Sequence, residues 1–420
     1  MMVSLKKSLR LILLVGLLLR LVLSAITIHP DIVHFDLASY VLGKGNIANF
    51  YDYTFNLDKN DQFLKSHPVE LFNYPPAVYF SVGFINWVLT SWEDQVFHQD
   101  FLLNFQQTLG KTQLLFHLIL LKLPYLPFDI GIAFLLYGIF KQTKYKTLAF
   151  SLWIFNPLAI YSTYMIGQFD VIPTFFSVLA LYLVSTSNKG FGRITLAALA
   201  LGVGISFKIY PVLFLIPLSY LIKNWPKRLL IITLGLLPYL LTIIPFLGSS
   251  GFRTTALVAN QTLKSLYTQI PVSGGEAIIL FLLAIGFLYL VFFYEDFSYE
   301  KLWQKFLVIL LPFFIFTHYH PQWLLWLTPF LIIELINTDF KHLFVVVLMF
   351  TAYLGGVFLF EASLSIGLFS AIIPSLFQIN DIWSIIGINI DRNLMKSLFH
   401  TLFVSCSFYF IYRYFPRKGV

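Results

Sequence analysis

Cysteine is almost missing from this chain: Cys406 is alone, which excludes an intramolecular disulfide and any thiolate-bound metal cluster. Charge is scarce as well. Asp, Glu, Lys and Arg make up 11% of 420 residues against 58% hydrophobic ones, and mean hydropathy is +0.79. That balance excludes a soluble globule and leaves a polytopic membrane protein whose solvent is the bilayer. Convincing repeats, low-complexity tracts and a soluble domain are not found. The net charge of +8 implies no nucleic-acid partner, because loops on the cytoplasmic side of membrane proteins collect Lys and Arg.

What the chain does have is apolar runs. Residues 11–28 follow Lys6, Lys7 and Arg10 and are long enough to cross about 30 Å of hydrocarbon at about 1.5 Å per residue. This run reads as a retained signal anchor, too long for a cleaved leader and without a small-x-small site. Further runs fall near 75–91, 113–140, 147–165, 171–187, 194–222, 229–247, 277–294, 306–316, 321–337, 342–360 and 395–412. With allowance for merged or broken runs, about eleven to thirteen spans are expected. Basic clusters separate them: Lys141 to Lys146, Lys189 and Arg193, Lys223 to Arg228, Lys301 and Lys305, Lys341, and Arg413 to Lys418. The positive-inside rule puts all of these in the cytoplasm with the N-terminus. The connections 29–73, 166–170, 248–276, 317–320 and 361–394 are then outside. Parity demands two adjustments: a hairpin at Lys122-Leu-Pro-Tyr-Leu-Pro127, and a division of 194–222 into two helices meeting at Ser206-Phe-Lys-Ile-Tyr-Pro211. Proline breaks at membrane depth survive only where protein or water covers the freed backbone, so both suggest an outward polar cavity.

Nearly every unusual polar motif lies on that outer side. The first outer loop carries Asp31, Asp36, Asp52, Asp58, Asp61 and Glu70 against Lys44, Lys59 and Lys65. In His29-Pro-Asp-Ile-Val-His-Phe-Asp36, Asp36 stands about a turn beyond the first span and a helix-stopping Pro30. A partly desolvated carboxylate there has its pKa raised toward neutrality, as a general base for a hydroxyl requires. The competing reading makes Asp36 the N-cap of a helix beginning at Leu37. Asp31 is the second candidate. Asn73-Tyr-Pro-Pro-Ala77 is by itself an ordinary helix start. In Gly167-Gln-Phe-Asp170, Asp170 caps the next helix, or it and Gln168 hydrogen-bond a sugar or orient the loop. His318-Tyr-His-Pro-Gln-Trp323 offers two imidazoles for a phosphate oxygen, a weaker metal reading, or interfacial packing. Trp323 and Trp326 suit an aromatic belt. Lys208 and Arg253 are cations on the face the positive-inside rule disfavours, fit for a phosphate or for pairing with Asp170. Lys122 and Asp129 look mutually paired along one helix.

Taken in order, the aspartate after the first span, Tyr74-Pro-Pro, Gly167-Gln-x-Asp170, Phe207-Lys-x-Tyr-Pro211 and His318-x-His-Pro-Gln-Trp323 resemble the GT-C superfamily of integral-membrane glycosyltransferases. Within it, the chain is most similar to polyprenol-phosphate-mannose-dependent mannosyltransferases. The resemblance implies an all-α polytopic fold over residues 1–420, with in-plane helices in the 29–73 loop and an external cavity. It also implies transfer of a hexose, mannose first, from a polyprenyl-phosphate donor to a lipid-linked or glycan acceptor with inversion. Asp36 matches the family's first-loop aspartate by position. Leu37 follows it, so the acidic pair of some relatives is missing and a divalent metal is not assigned. The candidate substrate-binding residues are Asp31, His34, Tyr74, Gln168, Asp170, Lys208, Arg253, His318, His320 and Gln322. The expected partners are the lipid donor, the acceptor and membrane lipids, with no organic cofactor. The compartment is the plasma membrane in a prokaryote and the endoplasmic reticulum otherwise. A transporter or flippase of lipid-linked sugars is the rival reading, and a structural subunit a third.

Overall fold

The computed structural model describes residues 2–58, 60–66, 72–185, 190–295, 298–388 and 391–416. Lys59, Glu70, Lys189, Arg417 and Lys418 lie outside them. The architecture is all-α and polytopic. Lys7–Ile26, Thr112–Ile139, Trp225–Phe246 and Arg392–Arg413 are long and apolar enough to cross a membrane, and shorter apolar helices accompany them.

Helix α1 (Met2–Ile26) leads from the N-terminal end of the bundle to its opposite end. There the chain turns at Pro30 into α2 (Asp31–Gly43). Pro30 therefore begins a helix rather than stopping one, because a fixed φ suits the start, where an amide donor is surplus. Asp36 lies inside α2 and caps nothing. Phe50–Phe55 and Gln62–Ser66 are short helices of the same loop.

Residues 75–91, an apolar run of spanning or near-spanning length, form the shorter apolar helical segment Pro76–Thr90. It packs along α2, with Gly83 against Ala38 and Leu42 and Gly43 against Trp87. Helix α3 (Gln95–Leu103) then brings His98 back to Asp36. Exposed Phe84, Trp87, Val88, Trp92 and Val96 give this stretch the apolar surface of an interfacial helix.

The expected hairpin at Lys122–Pro127 is likewise absent. Residues 112–139 form one continuous helix, α4 (Thr112–Ile139). A single 3₁₀ turn at Leu123–Tyr125 takes up Pro124, and Pro127 falls at the start of the next segment, so both prolines sit where the missing amide costs least. Helix α4 runs antiparallel to α1. Lys122 Nζ donates to Ser24 O (3.0 Å) and Thr27 O (2.6 Å), and further in Arg20 Nε meets Asp129 Oδ2 at 2.5 Å. The expected Lys122–Asp129 pair is replaced by these contacts, since Lys122 finds carbonyls at the end of α1 while Asp129 also accepts from Trp153 Nε1 (2.8 Å) and Tyr164 Oη (2.7 Å). Lys141 to Lys146 thus return to the end that holds the N-terminus without a hairpin. Helix α5 (Lys146–Ile154) packs back on α1, where Arg20 Nη1 donates to Ile154 O at 2.8 Å.

Helix α6 (Val171–Ser185) and α7 (Phe191–Phe207) follow the turn 166–170. The expected break within 194–222 is present. Helix α7 ends at Lys208, whose backbone is extended (φ −154°, ψ 137°), and the chain resumes as a 3₁₀ turn, Tyr210–Phe214. Helix α8 (Trp225–Phe246) crosses α7 closely because Gly202 faces the carbonyl of Gly235 and the ring of Pro238, where a Cβ would collide. Helices α9 (Leu280–Phe293), α10 (Leu302–Phe316), α11 (Thr328–Asn337), α12 (Leu343–Val357) and α13 (Arg392–Arg413) complete the bundle. Gln269–Pro271 and Ala277–Ile279 pair as an antiparallel ribbon, Gln269 opposite Ile279, which the helical reading did not include.

Candidate active site

Gly167 sets the geometry of the 166–170 turn. Its φ is +81°, and a Cβ would press on Ile32 and Lys122, so glycine is required both for the turn and for its approach to α2 and α4. The turn delivers Gln168 and Asp170, both fully buried. Gln168 Nε2 donates to Asp31 Oδ2 at 2.7 Å. Asp31 is the first residue of α2. Its side chain is 40% exposed, with Oδ1 3.6 Å from His29 Nδ1.

Asp170 Oδ1 accepts from Lys208 Nζ (2.7 Å) and Trp326 Nε1 (2.6 Å), while Asp170 Oδ2 is buried without a hydrogen-bond partner. The pairing considered for Lys208 is therefore present. Trp326 is buried and hydrogen-bonded, a correction to the belt reading: a carboxylate inside the bundle draws the indole N–H inward. The Lys208 ammonium sits 5.1–5.8 Å from the ring centres of Phe169, Trp323, Trp326 and Tyr74, an aromatic box that suits a cation. Tyr210 stacks on Trp326 at 4.2 Å, so the broken helix, the 166–170 turn and the segment after α10 are held as one unit. The charge of Asp31 reaches Tyr74, Lys208 and His320.

His320 packs on Trp323 (5.2 Å) with Nε2 3.5 Å from Lys264 Nζ. Burial, reinforced by Lys264, lowers its pKa to about 4, so it is neutral near pH 7. His318 is shifted down too, first by burial and then by Lys264, Lys396 and His400. Gln322 is buried with Oε1 unpartnered. His34 is half-buried on α2. Arg253 stands apart: its guanidinium donates to Leu247 O (2.8 Å), Gly248 O (3.0 Å) and Ser250 Oγ (3.2 Å), and so serves the end of α8 instead of the cluster.

Asp36 occupies a different environment from the one expected. It is fully buried. Ser39 Oγ donates to Oδ1 at 3.0 Å, His98 Nε2 lies 2.8 Å from Oδ2, and His117 Nε2 lies 3.5 Å from the same atom. His117 Nδ1 is in turn 2.6 Å from Glu93 Oε2. Burial alone pushes the Asp36 carboxyl up, but the two imidazoles outweigh it and hold it below its ordinary range. The expected elevation is thus reversed, because opposite charge at hydrogen-bond distance outweighs desolvation. The sequence reading missed Glu93, His98 and His117. His117 carried a signal, as an ionisable residue in an apolar span, whereas its partners lie far away in the chain.

Comparison with known proteins bears on the middle of the chain. Residues 163–270 match the model of a family described as Mannosyltransferase (PIG-M). Over that segment the chain is similar to a GT-C-type mannosyltransferase family, and the match supports a mannosyltransferase-like activity in a membrane protein. About a quarter of the chain is covered, including Gln168, Asp170, Lys208, Arg253 and Lys264 but not α2 or residues 318–322. No curated protein and no solved structure matches it.

Proposed function

We propose that this protein is an inverting mannosyltransferase that draws its sugar from a polyprenyl-phosphate donor and passes it to a lipid-linked or glycan hydroxyl, at the end of the bundle away from the N-terminus. The observation that carries the reading is the constellation at the head of α2. Asp31 is solvent-accessible and oriented by Gln168, with Lys208 and His320 from later segments within reach of its charge. Asp31, not the enclosed Asp36, takes the role of general base. It removes the acceptor proton as the hydroxyl oxygen bonds to the anomeric carbon, and the bond from that carbon to the phosphate oxygen breaks on the opposite face. The phosphate leaves as a monoester anion, which needs nearby cations rather than a general acid. Lys208, neutralised by Asp170, holds the site together and leaves the leaving group to the His320–Lys264 side. Asp36 anchors α2 through His98 and His117.

The test is transfer by purified protein in nanodiscs supplied with radiolabelled polyprenyl-phosphate mannose or glucose and a lipid extract. Mannosylated product is expected. Passage of the donor between leaflets without product formation would favour the flippase instead, and transfer from a nucleotide sugar alone would overturn the assigned donor.

A further inference from the structure

The antiparallel ribbon before α9 leaves one apolar face uncovered. Its register sets Ile270 opposite Ile278, and the alternation of side chains along a strand puts Val272, whose amide donates to Glu276 O at 2.9 Å, on the same side. Ile270, Ile278 and Val272 are 52%, 43% and 61% exposed. The opposite face is covered in part, since Ala277 and Ile279 are half-buried. The base of the ribbon is fixed to the bundle: Leu280 N donates to Thr268 O at 3.0 Å, and Thr268 Oγ1 to Phe316 O at 2.6 Å. A lone two-stranded ribbon is at best marginally stable in water, so its free apolar face calls for a cover.

Helix α9 identifies that cover. It runs on directly from the ribbon, with Phe281, Ile285, Leu288 and Phe292 buried on one side and Leu282, Leu283, Phe287 and Leu290 exposed on the other, the division expected of a helix between protein and lipid. Its 14 residues reach about 21 Å at about 1.5 Å per residue, which leaves it about 9 Å short of a hydrocarbon layer about 30 Å thick. At its far end the apolar surface stops, because Glu295 pairs with Lys305 and Arg228 lies over Phe293. At the near end Ala277–Ile279 adds about 10 Å at about 3.3 Å per residue. Charge agrees, for between Lys264 and Glu295 the sole charged residue is Glu276, at the hairpin turn. The outward backbone edges of the ribbon bar it from the hydrocarbon centre and leave it the headgroup boundary.

We infer that the 269–279 ribbon is a lipid-inserted anchor, with Ile270, Val272 and Ile278 against the acyl chains of the leaflet at this end of the bundle and Ser273 and Glu276 among the headgroups. Ribbon and α9 then cross the membrane as one unit. Insertion rests on apolar contact and needs no anionic lipid, because the ribbon has no basic residue. The chain tethered in this way carries Lys264, beside His320, so the anchor sets the depth of that cation.

The test is spin-label accessibility in the full chain, in phosphatidylcholine nanodiscs. Cys406→Ala supplies a background without cysteine, and Ile270→Cys, Val272→Cys, Ser273→Cys, Ile278→Cys and Leu290→Cys are labelled one at a time. Labels at 270, 272 and 278 are expected to relax with oxygen and not with a water-soluble nickel complex, as at 290 on the lipid side of α9, while the label at 273 responds to nickel. Ile270→Asp combined with Val272→Asp is expected to expose the label at 278 to nickel and to leave that at 290 unchanged. Nickel access at 270 and 278 equal to that at 273 would overturn the anchor, as would a label at 278 indifferent to the two aspartates. Exclusion of both reagents would also overturn it, and dipolar broadening that disappears on spin dilution would then assign the face to a second copy of this chain.

Discussion

Exchanging each of the two α2 carboxylates for its amide separates the roles of Asp31 and Asp36. In Asp31→Asn the amide oxygen still accepts from Gln168 Nε2, the contact now at 2.7 Å, and a side chain 40% exposed gives up little by losing its charge. Stability is therefore expected to change by less than about 1 kcal/mol. Loss of a general base removes about 10²- to 10⁴-fold in rate, a barrier rise of about 3–5 kcal/mol, seen in kcat with KM for the donor little changed. Asp36→Asn behaves in the opposite way. A neutral amide takes away the carboxylate that His98 and His117 share, leaving only Glu93 beside His117, and removing one partner of such a buried cluster costs about 3–5 kcal/mol. Its main effect is a lowered Tm, with kcat falling less than in Asp31→Asn in whatever fraction remains folded. Radiolabelled transfer in nanodiscs gives the rates, and intrinsic-fluorescence melting of the same samples gives Tm. The reasoning is refuted if Asp36→Asn abolishes turnover with an unchanged Tm, or if Asp31→Asn turns over at the wild-type rate.

Three further outcomes are expected. Acid sensitivity should trace to Asp36. Its folded-state pKa is depressed, so its stabilisation is present above the unfolded carboxyl value, about 4, and is lost as pH falls through the folded value, with His98, His117 and Glu93 around it. The acid limb of a Tm-against-pH curve should flatten in Asp36→Asn, and an identical limb would count against the cluster. Arg20→Met strands Asp129 and should destabilise by about 3–5 kcal/mol, whereas Arg20→Met with Asp129→Leu should recover most of that loss; equal melting of single and double variants would reject a coupled pair. Gly202→Ala thrusts a methyl at the carbonyl of Gly235 and should cost about 1–3 kcal/mol by overpacking, a figure that an unchanged Tm would contradict.

The parts of this molecule legible in the sequence are those encoded locally. Pro211 and the polar Ser206–Lys208 stretch announced the break after α7, and the Gly167–Asp170 turn was recognisable from residues adjacent in the chain. The charge bias of the loops gave a path whose parity problem was real, but its solution was not local. Prolines 124 and 127 read equally well as a hairpin or as two helix-start positions, and only the contacts of Lys122 with the end of α1 decide. In the sequence, distance from the first span and the position of the resembled family's first-loop aspartate both favour Asp36 over Asp31. What separates them is the company each keeps: His98 stands 62 residues from Asp36, and Gln168 stands 137 residues from Asp31. Trp326 seemed a membrane-interface anchor because nothing nearby in the chain foretells a carboxylate 156 positions back. Pairings of that range are products of tertiary assembly, which composition and hydropathy do not carry.

Helix α2 presents one acid at its tip and is gripped along its flank through another, five positions on. The grip at His98 and His117 therefore fixes where the tip stands. On the proposed function, a change at either histidine is expected to re-aim Asp31 from a position that does not touch it.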